Sequence, residues 1–422
     1  MASGSGSDWF KAERVLLVRQ QAFRSAISED FAEIQGLAVA AGSEVVCHIS
    51  AVRKIPHPAT FLGSGKVLEI TELVKKLAVD VVILDHNATP VQERNLEKAF
   101  HCRVIDRTRL ILDIFALRAR TSEGKRQVEL AQLNHLATRL VRGWTHLERQ
   151  RGGLGLRGPG ETQLETDRRL IGRRIKTLDR KLDKVRLQRA LRRNHRDRVP
   201  IPTVAIVGYT NAGKSTLFKC LTGSDVFIQD QLFATLDTTV RRVNLSDSHS
   251  CLLSDTVGFI RKLPHHLVAS FRSTLKEVLD ADLLLIVLDM SSPFMKDHLA
   301  TIQSVLKDLD ADKLPQMLVL NKADLISDAE KINESIHLFP DSVTVSAQEY
   351  LRIDQLKENI LEIMDKNFQT IEIEVSYEKG KLISDAQEGV EVLNREYLDT
   401  GVKLTIRGNR SRIEQIQSAV LH

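Results

Sequence analysis

Cysteine is scarce in this chain: four in 422 residues, at Cys47, Cys102, Cys220 and Cys251, with no Cys-x-x-Cys pair. That excludes a disulfide scaffold and the common zinc modules, and it fits thiols kept reduced in a cytoplasm. Aromatic residues make up 5%, too few for a platform that stacks bases as RNA-recognition sheets do. No apolar run is long enough to span a bilayer. Residues 1–13 open with a Gly/Ser stretch, Met1 to Ser7, that lacks the basic and apolar parts of a signal sequence. They read as a disordered leader outside the fold. The expectation is a cytoplasmic monomer without a membrane span, peripheral association with a membrane being left open.

Net charge is a modest +5, but it is unevenly spread. Between Arg168 and Arg198, fourteen Arg and Lys face three Asp, a local charge of +11 that leaves the rest of the chain at −6. A basic segment on a slightly acidic body suits a polyanion such as RNA.

What is present is organised around residues 208–215: Gly208-Tyr209-Thr210-Asn211-Ala212-Gly213-Lys214-Ser215. The pattern Gly-x-x-x-x-Gly-Lys-Ser follows an apolar run, Thr203 to Val207, and opens a helical pattern through Thr216 and Leu217. That is the strand–loop–helix context of a P-loop. Its glycines let backbone N–H groups close on a polyphosphate. Lys214 neutralises phosphate oxygens, and the Ser215 hydroxyl suits Mg²⁺.

Four further loops follow in order. Phe233-Ala234-Thr235-Leu236-Asp237 lies between two ordered stretches. A threonine here would reach Mg²⁺ only with a γ-phosphate present: Thr235 is the choice, Thr238 or Thr239 the rival. The strand Cys251–Ser254 ends in Asp255-Thr256-Val257-Gly258, whose acid would hold Mg²⁺ through water and whose glycine amide would meet the γ-phosphate. Strands Leu283–Leu288 and Met317–Leu320 lead to Asn321-Lys322-Ala323-Asp324. The Asp324 carboxylate accepts from guanine N1–H and N2–H₂, a pair of donors that adenine lacks, and Lys322 packs its stem on the base. Val343–Val345 then enters Ser346-Ala347-Gln348, a loop whose backbone meets the guanine carbonyl. Any one pattern is weak alone; four in order, each after a strand, specify a Mg²⁺-dependent GTPase domain over residues 199–367.

Phe259 follows the Asp-x-x-Gly where Ras-like enzymes keep a water-positioning Gln. Phenylalanine cannot orient water, so hydrolysis should be slow or assisted. Lys214 is the catalytic cation. Asn211 either ligates a monovalent cation such as K⁺ or merely shapes the loop.

Upstream, residues 14–121 alternate strand and helix: strands Arg14–Arg19, Glu44–Ile49, Asp80–Leu84 and Arg103–Ile105, helices Glu29–Ala41, Lys66–Leu77 and Pro90–Phe100. This predicts a small parallel α/β domain. Gly63-Ser64-Gly65-Lys66 reads as a turn before a helix, with phosphate contact as the alternative. Asp85-His86-Asn87 follows a strand, where α/β ligand crevices form, and Asp106-Arg107-Thr108 is equally odd for a core.

Residues 122–198 form a helical hairpin. One helix runs Glu123–Arg149; a second, about Glu161 to Arg196, carries a seam at Ile171, Ile175, Leu178, Leu182 and Val185. Arms of 25 to 30 residues reach roughly 40 Å. The break between them holds Arg151, Gly152, Gly153, Gly155, Arg157, Gly158 and Gly160, which read as an RNA-touching tip or, more plainly, as a flexible turn. Residues 368–422 read as a small α+β module: strands Thr370–Ser376, Gly389–Leu393 and Val402–Arg407, helices near Lys379–Ala386 and Ser411–Ala419.

The whole is thus an α/β chain: a P-loop GTPase domain with an N-terminal α/β domain, a long helical hairpin linker and a small C-terminal module. It resembles the HflX family of translational GTPases, in the Obg–HflX group. The likeness rests on 106–115, Arg142 to Arg149, Gly155 to Arg168, Gly208 to Leu217, Phe233 to Asp237 and Asp255 to Arg261. It covers nearly the whole chain and is weakest before Glu13 and after Thr370. The resemblance implies a GTPase that binds the large ribosomal subunit and splits stalled 70S ribosomes under stress, with the Gly-rich loop near the peptidyl-transferase centre. It also implies Mg²⁺ at Ser215 and Thr235. Large-subunit assembly is an alternative. So is ATP-driven rRNA remodelling through the N-terminal domain, although no second nucleotide motif is visible there.

Overall fold

The computed structural model describes residues 12–21, 31–148, 159–196, 201–223, 232–233, 238–246, 249–261, 278–377 and 390–421. The protein is α/β and divides into two compact units. One holds Met1–Leu182 with Gln229–Leu236 and Lys262–Phe271; the other holds the remainder.

In the first unit, β1 (Arg14–Gln21), β2 (Glu44–Val52), β3 (Val81–Leu84) and β4 (Arg103–Asp106) form a parallel sheet in the order β2-β1-β3-β4. Helices α1 (Ala32–Ala40), α2 (Ser64–Lys76) and α3 (Pro90–Phe100) make the connections. The α3 start is written in the sequence: Thr89 accepts from the Gln92 N–H, Gln92 reaches back to the Thr89 N–H, and Pro90 occupies the first turn. α2 begins after Gly63 with no side-chain cap, and Lys66 pairs with Glu69 at 2.7 Å, which is the turn-and-helix reading of that stretch.

A helix that periodicity does not announce, α4 (Arg107–Arg118), follows β4 directly. Asp106 caps it by accepting the Arg109 N–H at 2.9 Å. Leu110, Ile111, Leu112, Ile114 and Phe115 are all buried, so its apolar residues point to every side. Leu232 lies against Gly36 of α1, and Phe233 meets Phe115 edge to face at 4.7 Å.

The hairpin helices are α5 (Ser122–Glu148) and α6 (Pro159–Arg196). Leu178 and Leu182 of the expected seam bury against Leu130, with Leu133 and Ile175 alongside. Burying each leucine contributes about 2 kcal/mol. Arg174 to Glu129, at 2.7 Å, adds an exposed pair of little worth. α5 is also fixed to the α/β part: Arg139 bonds Glu93 of α3 and Asp106 at 2.6 Å. Among the described residues of α5, 140–148, about 13 Å of rise, extend past that anchor. Residues 151–158 lie outside the described residues; Gly160 sits in the first turn of α6.

The second unit is built on a six-stranded sheet. Its strands are β5 (Thr203–Gly208), β6 (Thr239–Asn244), β7 (Ser250–Asp255), β8 (Leu283–Asp289), β9 (Gln316–Asn321) and β10 (Val343–Thr344), in the order β10-β9-β8-β5-β7-β6. Only β6 runs antiparallel, on an edge. Central β5 and β8 are apolar and buried from Val204 to Gly208 and from Leu283 to Leu288, as parallel strands between helices must be. Helices α7 (Lys214–Thr222), α8 (Met295–Asp308), α9 (Ala329–Leu338) and α10 (Ile353–Asn367) follow the chain.

The C-terminal module is an antiparallel sheet of β11 (Phe368–Ser376), β12 (Glu391–Tyr397) and β13 (Gly401–Asn409), ordered β11-β13-β12, under α11 (Arg410–Leu421). Ile373, Leu404, Ile406, Ile413 and Ile416 form its core. β12 starts at Glu391, and Val390 just ahead of it packs into that core. The helix expected at Lys379–Ala386 lies outside the described residues.

Candidate nucleotide site

The P-loop leaves the C-terminal end of β5 in mid-sheet, flanked by β7 and β8. Asn211 and Gly213 take left-handed backbone angles, φ 61° and 88°, which close the loop over the start of α7. Asn211 is exposed, so it both supplies the turn and leaves its amide available to a ligand. Lys214 is buried and donates to the Tyr209 carbonyl at 2.8 Å. Ala212 is buried; Thr216 lies in the first turn of α7. The Thr210 hydroxyl is buried with no hydrogen-bond partner among the described residues, an unmet polar atom in a cradle shaped for phosphate.

Asp255 ends β7 and accepts from the Ser215 hydroxyl at 2.7 Å. A hydroxyl and a carboxylate side by side form a hard-oxygen donor set, and the pair fits Mg²⁺. Among the described residues, no group of three or more His, Cys, Asp or Glu is placed to hold a metal on its own, so the metal would share phosphate oxygens. Thr256 turns inward and donates to the Ile206 carbonyl at 2.7 Å, and Val257 is buried. Gly258 lies close to Thr210 and Lys214. Phe259 is 1% exposed and fills the core. Of the switch residues, Ala234, Thr235, Leu236 and Asp237 lie outside the described residues. Phe233, also expected at the nucleotide, is buried within the first unit, its ring edge to face against Phe115.

The loops at residues 321–324 and 346–348 are tied to the P-loop by the Asn321 side chain. Asn321 donates from Nδ2 to the Ala212 carbonyl at 3.0 Å and accepts the Ala347 N–H at 3.0 Å. Asp324 is exposed and oriented by the Ser346 hydroxyl at 2.5 Å. Lys322, at φ 64°, is steadied by Asp289 at 2.7 Å. Ala323 is buried, and Gln348 is exposed at the loop end. This brings together the P-loop, Asp255, Gly258, Asn321 to Asp324 and Ser346 to Gln348. Sequence reasoning missed Asp289, whose only signal was its place at the end of a buried strand.

Burial pushes the Lys214 ammonium down to about 8, against the pull of Asp255. A polyphosphate beside it would raise that value again. Nucleotide affinity is therefore expected to be full below about pH 8 and to decline as pH climbs through it, by up to tenfold per unit. Titration calorimetry in buffers of different ionisation enthalpy should show little proton uptake at pH 7 and uptake approaching one proton above about pH 9. Uptake independent of pH would mean Lys214 is already fully charged in the empty site.

The sheet and the ordered loops define a P-loop GTPase, an enzyme that hydrolyses GTP. Family models match along the chain: GTP-binding GTPase N-terminal over residues 28–116, GTP-binding GTPase middle region over 118–196, and 50S ribosome-binding GTPase over 203–322. The GTPase HflX of Escherichia coli (strain K12) is 48% identical over 398 residues, covering 94% of this chain and 93% of that one. The Magnetococcus marinus GTPase HflX is 50% identical over 327 residues, 77% and 75% of the two chains. That of Alkalihalophilus pseudofirmus is 40% identical over 415 residues, 97% of each. The chain belongs to the HflX family of GTPases.

Proposed function

We propose that this GTPase binds the large (50S) ribosomal subunit and, in its GTP state, dissociates stalled or idle 70S ribosomes in the cytoplasm, with stress as the occasion. The observation that supports it best is the hairpin: a packed antiparallel pair of helices whose second member carries most of the fourteen cations between Arg168 and Arg198. Such a stripe suits an RNA backbone. A family model described as a 50S ribosome-binding GTPase matches residues 203–322, which agrees. In this reading Arg151, Gly152, Gly153, Gly155, Arg157, Gly158 and Gly160 touch rRNA near the peptidyl-transferase centre. GTP orders the switch segments, Ser215 and Thr235 ligate Mg²⁺, Asp255 reaches it through water, Asn211 takes K⁺, and hydrolysis releases the subunit. Among the described residues, no helix is long and apolar enough to cross a membrane.

The test is sucrose-gradient analysis of purified 70S ribosomes with the protein and a non-hydrolysable GTP analogue, GDP or ATP. A variant with residues 152–160 replaced by a short Gly/Ser turn runs alongside. Splitting with the analogue, lost in the loop variant, is expected. Intact 70S with binding only to free large subunits would replace splitting with subunit assembly. Splitting that needs ATP and survives Asp324→Asn, which should weaken guanine binding alone, would move the work to the N-terminal domain.

A further inference from the structure

Three hydrogen bonds tie the exit of the Asp-x-x-Gly loop to the P-loop. Phe259 N–H donates to the Gly208 carbonyl at 3.0 Å, and Thr210 N–H donates to the Phe259 carbonyl at 2.7 Å. These two are backbone only and would form with many side chains. The third is not: the Arg261 N–H donates to the Tyr209 hydroxyl at 2.9 Å. It exists because Tyr209 occupies the second P-loop position and because its ring is aimed.

His298 of α8 does the aiming. Its imidazole stacks on the Tyr209 ring at 3.9 Å with planes 13° apart. One turn earlier on the same helix start, Phe294 lies 5.4 Å under the Arg261 guanidinium, and Asp297 accepts from that guanidinium at 2.9 Å. The Arg261–Asp297 pair is exposed and contributes little. The tyrosine is 5% exposed and the bond it makes is shielded. Residues 259–261 are thus clasped between the P-loop and α8.

Gly258 is the residue immediately before the clasp, and it is packed tightly. A side-chain carbon there would fall 2.8 Å from Lys214 Nζ and 2.9 Å from Thr210 Cα. Its amide is what this switch offers a γ-phosphate, because Phe259, at the place where related enzymes carry a polar side chain, is buried in the core. The position of one backbone N–H therefore matters more here than in an enzyme with a mobile glutamine.

We propose that Tyr209 and His298 are positioning residues for the GTP state: they fix Phe259 to Arg261 on the P-loop and so hold the Gly258 N–H where the γ-phosphate will be. The contribution falls on triphosphate, not diphosphate. Loosening the clasp leaves the α- and β-phosphate cradle of backbone amides and Lys214 unchanged, but it lets the Gly258 amide wander.

The full-length protein tests this with Tyr209→Phe, which removes one oxygen and keeps the stack, His298→Leu, which removes the stack, and His298→Phe, which keeps an aromatic face. Affinities for fluorescent GDP and for a non-hydrolysable GTP analogue are measured, with the single-turnover hydrolysis rate. Tyr209→Phe and His298→Leu are expected to lose about three- to tenfold in analogue affinity and in rate, the size of one hydrogen bond, with GDP affinity held within about twofold. His298→Phe recovers most of the loss, and Tyr209→Phe/His298→Leu falls no further than the worse single variant. Equal losses for GDP and analogue would overturn the proposal, since the stack would then merely hold the P-loop together. Unchanged analogue affinity and rate would overturn it too. Should His298→Leu fail to fold, Tyr209→Phe alone decides between these outcomes.

Discussion

Gly213→Ala is expected to lower affinity for GDP and GTP alike by about a hundredfold to a thousandfold. Two costs add at this position. Its φ of 88° is a conformation that an L side chain adopts only at about 1–2 kcal/mol. The added methyl would also sit 2.2 Å from Asn321 Nδ2, well inside contact distance. That amide cannot simply step aside. It donates to the Ala212 carbonyl, and its oxygen accepts the Ala347 N–H, both at 3.0 Å and both buried. Moving it unties the P-loop from the loops at residues 321–324 and 346–348 and leaves two buried backbone groups unmet, at about 1 kcal/mol or more each. The sum is about 3–4 kcal/mol, which at 1.4 kcal/mol per tenfold gives the stated range. Titration with fluorescent GDP reads it directly. A loss below about tenfold would mean that Asn321 rotates away without consequence and is not the tie described here.

That tie shows where sequence reading reached and where it stopped. The order of loops gave Asn321 a place beside guanine because Asn-Lys-x-Asp follows a strand. It could not show the side chain pointing back to Ala212, 109 residues earlier, since register between β9 and β5 is set only by the folded sheet. The parallel strands of the two sheets were legible because they are apolar runs closed by polar turns. α4 was not, because Leu110, Ile111, Leu112, Ile114 and Phe115 are all buried and show no one-faced stripe. β6, with Arg241 and Arg242 exposed on a sheet edge, was passed over for the opposite reason. The odd polar clusters Asp85-His86-Asn87 and Asp106-Arg107-Thr108 were noticed, yet no spacing rule says that they meet. They meet because β3 and β4 are neighbours in register, Leu84 beside Asp106.

Arg107→Met should destabilise the N-terminal sheet by about 3–5 kcal/mol. The arginine is 4% exposed, and its guanidinium forks between Asp85, at 2.6 Å, and Glu33. Burial opposes its charge, but the two carboxylates outweigh burial and raise its pKa. Asp85 is itself buried, and a second cation, Arg19, lies at 3.5 Å. Taking away the fork therefore strands a carboxylate at the end of β3, where water cannot easily reach it; methionine fills the volume and answers none of the charge. The pair as a whole contributes less than the loss of one partner suggests. Asp85→Asn combined with Arg107→Met should accordingly recover part of the stability, because the buried charge leaves with its partner. Arg107→Lys should fall between, keeping charge but losing the two-pronged geometry. Two compact units need not unfold together, so amide exchange across β1 to β4 is the measurement, in place of a whole-chain melting curve. Slowly exchanging amides of β3 and β4 should speed up by at least about a hundredfold in Arg107→Met. If they move by less than about fivefold, Asp85 finds water or Arg19 at no cost, and the buried network does not hold this sheet together.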